Sequence, residues 1–214
     1  QHNNAELGAL TELENVFSAA DVAAKYGAGS MAHLMVLAAI KAYAYADLSL
    51  ITVADNSAGK AASGTITFTG QADTQGVLRV SIANANTLTI GIAADDTPAK
   101  TAAAVKAAID AAPDLPVTAT AADGVVTITA KNKGSEGNAI RIRVRNTAEG
   151  TGSAVKAMSG GDANPDIQPA LTAIVAEGHH LIACGVNDET NLLKLRSHLE
   201  TVAGPMEKRW AIGI

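Results

Sequence analysis

The sequence has one cysteine, few aromatic residues and no basic excess, and each shortage excludes a class of protein. Because Cys184 is the only thiol, the chain cannot form an internal disulfide framework. Aromatic residues make up 3% of the chain and apolar residues 48%, so its core must be built mainly from small side chains such as Ala and Val. The net charge of −5 provides no overall attraction for nucleic acid or for an anionic membrane.

Long apolar runs are also missing. The most apolar stretch, residues 31–46, is interrupted by His33 and Lys41 and is too short and too polar to span a membrane. The chain begins with Gln1 and ends after an apolar run, so we expect it to be a piece of a longer protein. With 214 residues it is long enough for one large domain or two small ones.

The first segment, residues 1–56, has the pattern of a mixed α/β domain. Ser18 is expected to cap a short helix, and Ser30 to cap a longer helix that runs to about Ala44. The longer helix is apolar on nearly every face, which predicts a buried helix. The apolar run LSLITVAD, residues 48–55, predicts a buried strand.

Residues 57–150 have a different pattern, rich in Thr and Gly, with apolar and polar residues alternating. This alternation predicts six short strands, and the pair Asp123 and Gly124 predicts a hairpin turn between two of them. One helix interrupts the strands; it is capped by Thr97 and runs to about Ala111. The pattern therefore predicts a β-rich region with one helix covering a sheet.

The α/β pattern returns in residues 151–214. It predicts a helix at about 166–176, a buried strand at 180–186, and an amphipathic helix that begins at residue 187 or 188 and ends near residue 202. A final short strand is expected at the end of the chain.

These three segments predict a discontinuous domain organisation. Residues 1–56 and 151–214 are expected to form one α/β domain, and residues 57–150 a β-rich α+β domain inserted into it. Insertions of this kind are tolerated where the two chain ends lie close together at a surface.

The stretch YGAGSMAHL, residues 26–34, resembles a dinucleotide-binding loop. Gly27, Gly29 and Ala32 have the G-x-G-x-x-G/A spacing that admits a pyrophosphate. Such a loop requires a strand directly before the glycines, but a helix is predicted there. Asp47, the first acidic residue after the second helix, precedes the next strand and is misplaced for a ribose hydroxyl. We therefore predict a helix–glycine–helix corner.

The same stretch contains Ser30, Met31 and Ala32, a tripeptide that also surrounds the nucleophile of subtilisin-like proteases. A triad of that type requires Asp and His before Ser in the chain, but Ser30 lies near the start. Its hydroxyl is also expected to cap a helix. His33, about one turn further on, is interpreted as a packed or exposed residue and not as a base.

The remaining histidines and the cysteine do not predict a metal site. In a strand, His180 and Cys184 would lie about 13 Å apart, too far for two ligands of one zinc ion. His179 and His180 are interpreted as the start of a strand and Cys184 as an inert buried thiol. His2 and His198 cluster with nothing in the sequence.

Two charged groups remain. Arg141, Arg143 and Arg145 alternate along one predicted strand and share a face, which we interpret as solvated, with a contact to an acidic protein surface as the alternative. Asp95 and Asp96 precede a helix and are interpreted as loop and helix-dipole partners, not as an acid/base pair. The residue chemistry therefore predicts no catalytic, cofactor-binding or metal site.

The order of motifs along the chain resembles the tail sheath proteins of contractile-tailed bacteriophages, in their Mu-like branch. Each motif is weak alone, but their order over most of the chain is specific. The motifs are FSAADVAAKYGAGSMAHLMVLAAIKAYAYADLSLITVAD, AASGTITFTG, LPVTATAADGVVTITAKNKGSEGNAIRIRV, MSGGDANPDIQPAL and ACGVNDETNLLKLRSHLETVAGPME, the last with an Asp-x-x-Asn-Leu helix start.

This resemblance implies a structural protein with a subtilisin-like core fold that lacks a triad. Sheath subunits polymerise around an inner tube, contract, and drive the tube through the host envelope. The implied partners are other sheath subunits, the inner tail tube, the baseplate and the tail terminator, without cofactors, nucleic acid or membrane insertion. The implied location is the virion tail, assembled in the host cytoplasm.

Extended terminal arms connect sheath subunits in this family, and no such arms are recognised here, so we expect the chain alone to be monomeric or weakly associated. Two alternatives stay open. The β-rich region, with Phe68 as its only aromatic residue, would act as a tail adhesin; or the α/β part would be an enzyme with a cofactor pocket at its sheet edge.

Overall fold

A computed structural model describes residues 1–83 and 86–214 of the chain. Helices and strands alternate in the terminal segments, whereas strands dominate the middle. A short 3-10 turn, Ser135–Ala139, precedes the eighth strand. In chain order the elements are β1 (Glu14–Val16), α1 (Ala19–Tyr26), α2 (Met31–Ala42), β2 (Leu48–Leu50), β3 (Ser63–Thr69), β4 (Gly76–Ile82), β5 (Asn86–Ile92), α3 (Pro98–Asp110), β6 (Val117–Ala122), β7 (Val125–Ala130), β8 (Ile142–Asn146), β9 (Gly152–Ser159), α4 (Gln168–Ala173), β10 (Leu181–Ile182), α5 (Glu189–Val202) and β11 (Ile212–Gly213).

The chain divides into two compact units. Unit 1 comprises Gln1–Gly59 and Ala163–Ile214, and unit 2 comprises Lys60–Asp162. The sequence pattern places the second boundary at residue 150, before β9. In the structure β9 belongs to unit 2 because it pairs along its length with β3, and a cut at residue 150 would separate the two strands. The assignment of the units to a core domain and an inserted domain stays a prediction.

The predicted helix caps are confirmed by the structure. Ser18, Ser30, Thr97 and Asp188 occupy the N-cap positions of α1, α2, α3 and α5. Each side-chain oxygen accepts a hydrogen bond from a backbone amide of the first turn, at 3.1–3.3 Å. These bonds satisfy amides that have no partner within the helix, so the local sequence sets where each helix begins.

Unit 1 has two small apolar cores and two two-stranded pairs. Strands β1 and β2 are antiparallel, and β10 and β11 are parallel. One core lies between α1 and α2, and the other involves α4 and α5. Their buried members are Val16, Val22, Tyr26, Ala32 and Val36 in the first and Ile167, Leu171, Ile174, Val186 and Leu195 in the second.

Several predictions for this unit are wrong in the length of a strand or helix or in its burial. The predicted buried strands at 48–55 and 180–186 shrink to β2 and β10, because their pairing partners β1 and β11 have only three and two residues. The helix expected at 166–176 is the six-residue α4. Helix α2 is not buried on every face: it packs against α1 and, through Met31, against the second core, whereas Leu37 stays 38% exposed.

Unit 2 contains two antiparallel sheets with strand orders β6-β7-β3-β9 and β5-β4-β8. The six strands predicted in its sequence are confirmed, as is the hairpin at Asp123 and Gly124, whose φ angles of 48° and 81° fit a type I′ turn. Side chains from both sheets and from α3 form one core that includes Ile66, Leu78 and Val105, all fully buried. Alternation along each strand sends the remaining side chains outward.

Candidate functional site

The glycine-rich stretch 26–34 is the corner between α1 and α2, as the sequence predicts. Helix α1 ends at Tyr26, and Gly27 and Gly29 follow with φ angles of 97° and 74°. A Cβ atom at Gly27 would lie 1.7 Å from Oδ1 of Asn3. The element before the glycines is therefore a helix and not the strand that a pyrophosphate loop requires.

Ser30 and His33 hold this corner together. The Ser30 hydroxyl accepts from the His33 amide at 3.3 Å, and the His33 Nδ1 accepts from the Gly29 amide at 3.0 Å. Both side chains are buried. The hydroxyl and the ring nitrogen therefore bond to corner backbone and do not bond to each other as a nucleophile and a base do.

We expect Ser30→Ala to lower the free energy of unfolding of unit 1 by about 1–2 kcal/mol, because the buried amide of His33 loses its acceptor. Ser18→Ala is the matched control: that cap is exposed, so water can replace it, and its loss is expected to cost about 0.5 kcal/mol. Urea unfolding of both variants measures the difference. Equal losses would contradict a special role for the buried cap.

The histidines and the cysteine do not converge on one point. His180 is exposed, and Cys184 is half-buried, not fully buried as predicted; its thiol donates to the carbonyl of Val186 at 3.2 Å. Across residues 1–83 and 86–214, no three His, Cys, Asp or Glu side chains are placed to hold one metal ion. His198 is buried, which lowers its pKa, and the nearby charges of His179 and Arg209 lower it further. The sequence did not indicate this neighbourhood, since His179 lies in the loop before β10 and His198 lies on α5.

Asp95 and Asp96 have the loop and helix-start roles that the sequence predicts. The Asp96 carboxylate pairs with Lys100 at 2.5 Å and accepts from the Ala93 amide at 2.9 Å. The ion pair with Lys100, followed by the bond from Ala93, lowers the pKa of Asp96. The backbone carbonyl and the carboxylate of Asp95 both accept from the side-chain amide of Gln71, at 3.2 and 3.3 Å, which ties the loop before α3 to Gln71.

Arg141, Arg143 and Arg145 lie exposed on one face of the three-stranded sheet, as predicted. The structure adds Arg79, which lies on β4 directly opposite Arg145 of β8. The sequence did not indicate Arg79, because the register between two strands more than sixty residues apart is set by the folded sheet. Together the four side chains form a single basic face.

Asn191 links two segments of unit 1 at the predicted Asp-x-x-Asn-Leu helix start. Its side-chain oxygen accepts from the Ile167 amide at 3.1 Å, and its amide nitrogen donates to the Pro165 carbonyl at 3.0 Å and to Asp188 at 2.6 Å. Burial alone would raise the pKa of Asp188, but hydrogen bonds from Asn164 and Asn191 outweigh it and lower that pKa. The motif therefore serves to join α5 to the chain before α4.

Unit 1 also contains a pocket of about 110 Å³ that is partly open to solvent. Its walls are apolar side chains such as Met35, Ile51 and Leu171, with Gln1 and Cys184 as the polar exceptions. A cofactor pocket is expected to present several convergent polar groups, and this lining does not.

Among the described residues, no helix is both long and apolar enough to cross a membrane.

Comparison with known proteins identifies one informative relative. No known protein-family profile matches the chain. The chain is 30% identical over 167 residues to the Mu-like prophage FluMu tail sheath protein of Haemophilus influenzae. The matched region covers 76% of this chain and 34% of that protein, so the chain spans about a third of the relative's length.

A solved structure, the D1-D2-D3 domains of the flagellar cap protein FliD from Escherichia coli, aligns with 72% of this chain and 56% of its own. Its TM-score of 0.28 and identity of 13% are too low to bear on fold or function. The tail sheath relative instead matches the resemblance that the ordered motifs indicate. That resemblance is confirmed, and the chain is a phage tail sheath-like protein.

Proposed function

We propose that this chain is part of a contractile tail sheath subunit with a structural and not an enzymatic role. The observation that carries the proposal is the 30% identity to a tail sheath protein over 167 residues. In this proposal the complete subunit polymerises around an inner tube and contracts to drive the tube through the host envelope. Its partners are neighbouring subunits, the inner tube, the baseplate and the tail terminator, in a virion tail assembled in the host cytoplasm.

The proposed mechanism is mechanical. An extended sheath is a metastable packing of rigid subunits, and contraction is the passage over a barrier to a second packing with more buried interface. We assign unit 1 to the subtilisin-like core that the resemblance implies, without a triad, and unit 2 to a domain inserted in it. Unit 2 would lie on the outside of the sheath and contribute least to contraction.

Exposed apolar side chains support this division of roles. In unit 1, Phe17, Tyr45 and Trp210 are 88%, 87% and 79% exposed, so each presents a large apolar side chain that a subunit contact would bury. The exposed large apolar residues of unit 2 are Val77 and Val155, at 37% and 40%. Unit 1 therefore offers the larger apolar side chains for subunit contacts.

The test is negative-stain electron microscopy of the full-length protein beside this 214-residue chain, each expressed alone. We expect striated hollow tubes from the full-length protein and dispersed particles from the chain, because the lattice depends on segments that the chain lacks relative to its longer relative. Dispersed particles from both samples across several salt concentrations would contradict the proposed function.

The adhesin alternative has less support. Surfaces that bind glycans or receptors commonly present Trp or Tyr, and the only aromatic side chain of unit 2 is Phe68. Phe68 is 3% exposed and packs in the core between the sheets and α3. No aromatic side chain is therefore available on the surface of unit 2.

A further inference from the structure

The basic face of unit 2 is one side of the sheet β5-β4-β8. Leu78, Val80 and Ile82 of β4 point into the core, so Arg79 between them points outward. Arg145 lies opposite Arg79, and Arg143 lies opposite Ser81. Arg141 precedes β8, and its carbonyl accepts from the Ala83 amide at 3.0 Å, which extends the pairing. We name this surface the arginine face: Arg79, Arg141, Arg143 and Arg145.

The arginine face has no anionic partner within the described part of the chain. The sequences of β4, β5 and β8 contain no Asp or Glu, and none of the four arginines forms a salt bridge there. By contrast, Lys100 and Lys106 of the same unit both pair with aspartates. Like charges directly opposite each other on a sheet are destabilising, so the placement of Arg79 against Arg145 carries a cost in the isolated chain.

The surroundings of the arginines limit what they can bind. The neighbouring outward positions on β5 are Thr87, Thr89 and Gly91, and a Cβ atom at Gly91 would meet nothing within 4 Å. The face is therefore open and polar and lacks the aromatic side chains on which nucleic-acid bases stack. Guanidinium groups about 7 Å apart along a strand suit separate carboxylates on a facing protein surface.

The chain itself supplies such carboxylates. Unit 2 contains ten basic and nine acidic residues and unit 1 six and twelve, which gives net charges of +1 and −6. Four of the six bases of unit 1 already form salt bridges with its own carboxylates. Six exposed carboxylates of unit 1 form no salt bridge within residues 1–83 and 86–214: Glu6, Glu12, Asp21, Asp47, Glu177 and Glu189.

We propose that the arginine face binds exposed carboxylates of unit 1 in a second copy of this chain. The face repels itself, so the contact joins two different surfaces and cannot be a two-fold dimer contact. Contacts between unlike surfaces build open helical arrays unless the ring closes. The inference deepens the proposed function and rests on it for the helical arrangement, while the pairing of the two surfaces rests on their charges.

The first experiment compares three full-length proteins: wild type, Arg143→Glu/Arg145→Glu, and the control Lys156→Glu, an exposed residue on β9 of the other sheet. We expect the double variant to raise the critical concentration for tube assembly about tenfold or more, and the control to leave it near wild type. Because Arg145→Glu replaces the like-charge pair with Arg79 by an opposite-charge pair, thermal unfolding should show unit 2 to be at least as stable as in the wild type. Equal assembly by all three proteins would overturn the inference.

The second experiment identifies the partner surface and does not require tubes. An Arg143→Lys/Arg145→Lys variant of the 214-residue chain keeps the charge and introduces amines that a carbodiimide can join to carboxylates. In a mixture of 15N-labelled and unlabelled chains at low salt, we expect mixed-isotope cross-links from these positions to carboxylates of residues 1–59 or 163–214. Cross-links confined to residues 60–162, or none, would overturn the inference.

The two proposals fail differently. Wild-type tubes that tolerate the double variant contradict the arginine contact and leave the sheath function intact. No tubes, but salt-dependent cross-links to unit 1, contradict the sheath function and support the contact. Retention of the chain on heparin that depends on the arginines, without cross-links, would overturn a second copy as the occupant in favour of a polyanion.

Discussion

We expect Gly70→Ala to lower the free energy of unfolding of unit 2 by about 3–5 kcal/mol. Gly70 follows β3 with a φ angle of 75°, a conformation that L side chains rarely adopt. A Cβ atom there would lie 2.2 Å from the carbonyl oxygen of Gly150, at the point where β9 approaches β3. Because the obstacle is backbone, relief requires the strands to separate, and that strain adds to the cost of the φ angle.

Two other glycines of unit 2 allow the cost of the φ angle and the cost of the clash with backbone to be measured separately. Gly160 has a φ angle of 82° but open space around it, so Gly160→Ala should cost about 1–2 kcal/mol from the backbone conformation alone. Gly91 has open space and no unusual φ, so Gly91→Ala should leave stability within about 0.5 kcal/mol.

Native-state amide hydrogen exchange measures the effect in unit 2 separately from unit 1. The amides of β3 and β9 are the probes, since their pairing is what the added methyl group disturbs. A loss for Gly70→Ala no greater than that for Gly160→Ala would contradict the close approach of the two strands. Equal losses for all three variants would show that the φ angles are unimportant as well.

The elements that the sequence predicts correctly are those determined by neighbouring residues. A cap such as Thr97 and the hairpin at Asp123 and Gly124 depend on hydrogen bonds and φ angles within a few residues, so the pattern contains the needed information. The strand pairing of β3 with β9 depends on residues some ninety positions apart. No local pattern contains that register, so the sequence pattern alone predicts a boundary of unit 2 before β9.

The burial of α2 shows a second limit on what the sequence alone can predict. Its apolar composition indicates which side chains avoid water but not what covers them. In the structure α1 covers Ala32 and Val36, while Leu37 and the following Tyr43 stay exposed at 38% and 63%. The apolar composition of a helix therefore predicts that its side chains contact other apolar groups. It does not predict that those groups belong to the same compact unit.

The features of the candidate site also differ in how far the sequence predicts them. The corner at residues 26–34 could be predicted, because a cap and two glycines explain it without distant partners. The arginine face could be predicted only along β8, where alternation places its arginines on one side. Arg79 completes the face through the register of β4 with β8, and that register comes from the apolar pattern of a whole sheet.

The second large effect concerns unit 1, where we expect Asn191→Ala to lower the free energy of unfolding by about 3 kcal/mol or more. Asn191 is 3% exposed, and its side chain bonds to the Ile167 amide, the Pro165 carbonyl and Asp188. Truncation leaves the amide and the carbonyl without these partners, and each unsatisfied buried group costs about 1–3 kcal/mol. Urea unfolding gives the total, and hydrogen exchange along α5 shows where the loss lies.

Thr190→Ala is the matched control on the same helix. Thr190 is exposed and makes no side-chain hydrogen bond in the described chain, so its replacement should change stability by less than about 0.5 kcal/mol. An Asn191→Ala loss as small as the control would mean that water reaches the Ile167 amide, and the link between α5 and residues 165–167 would not be a structural tie. A large loss would give the Asp-x-x-Asn motif a physical cause: one amide side chain satisfies two backbone groups that the fold buries.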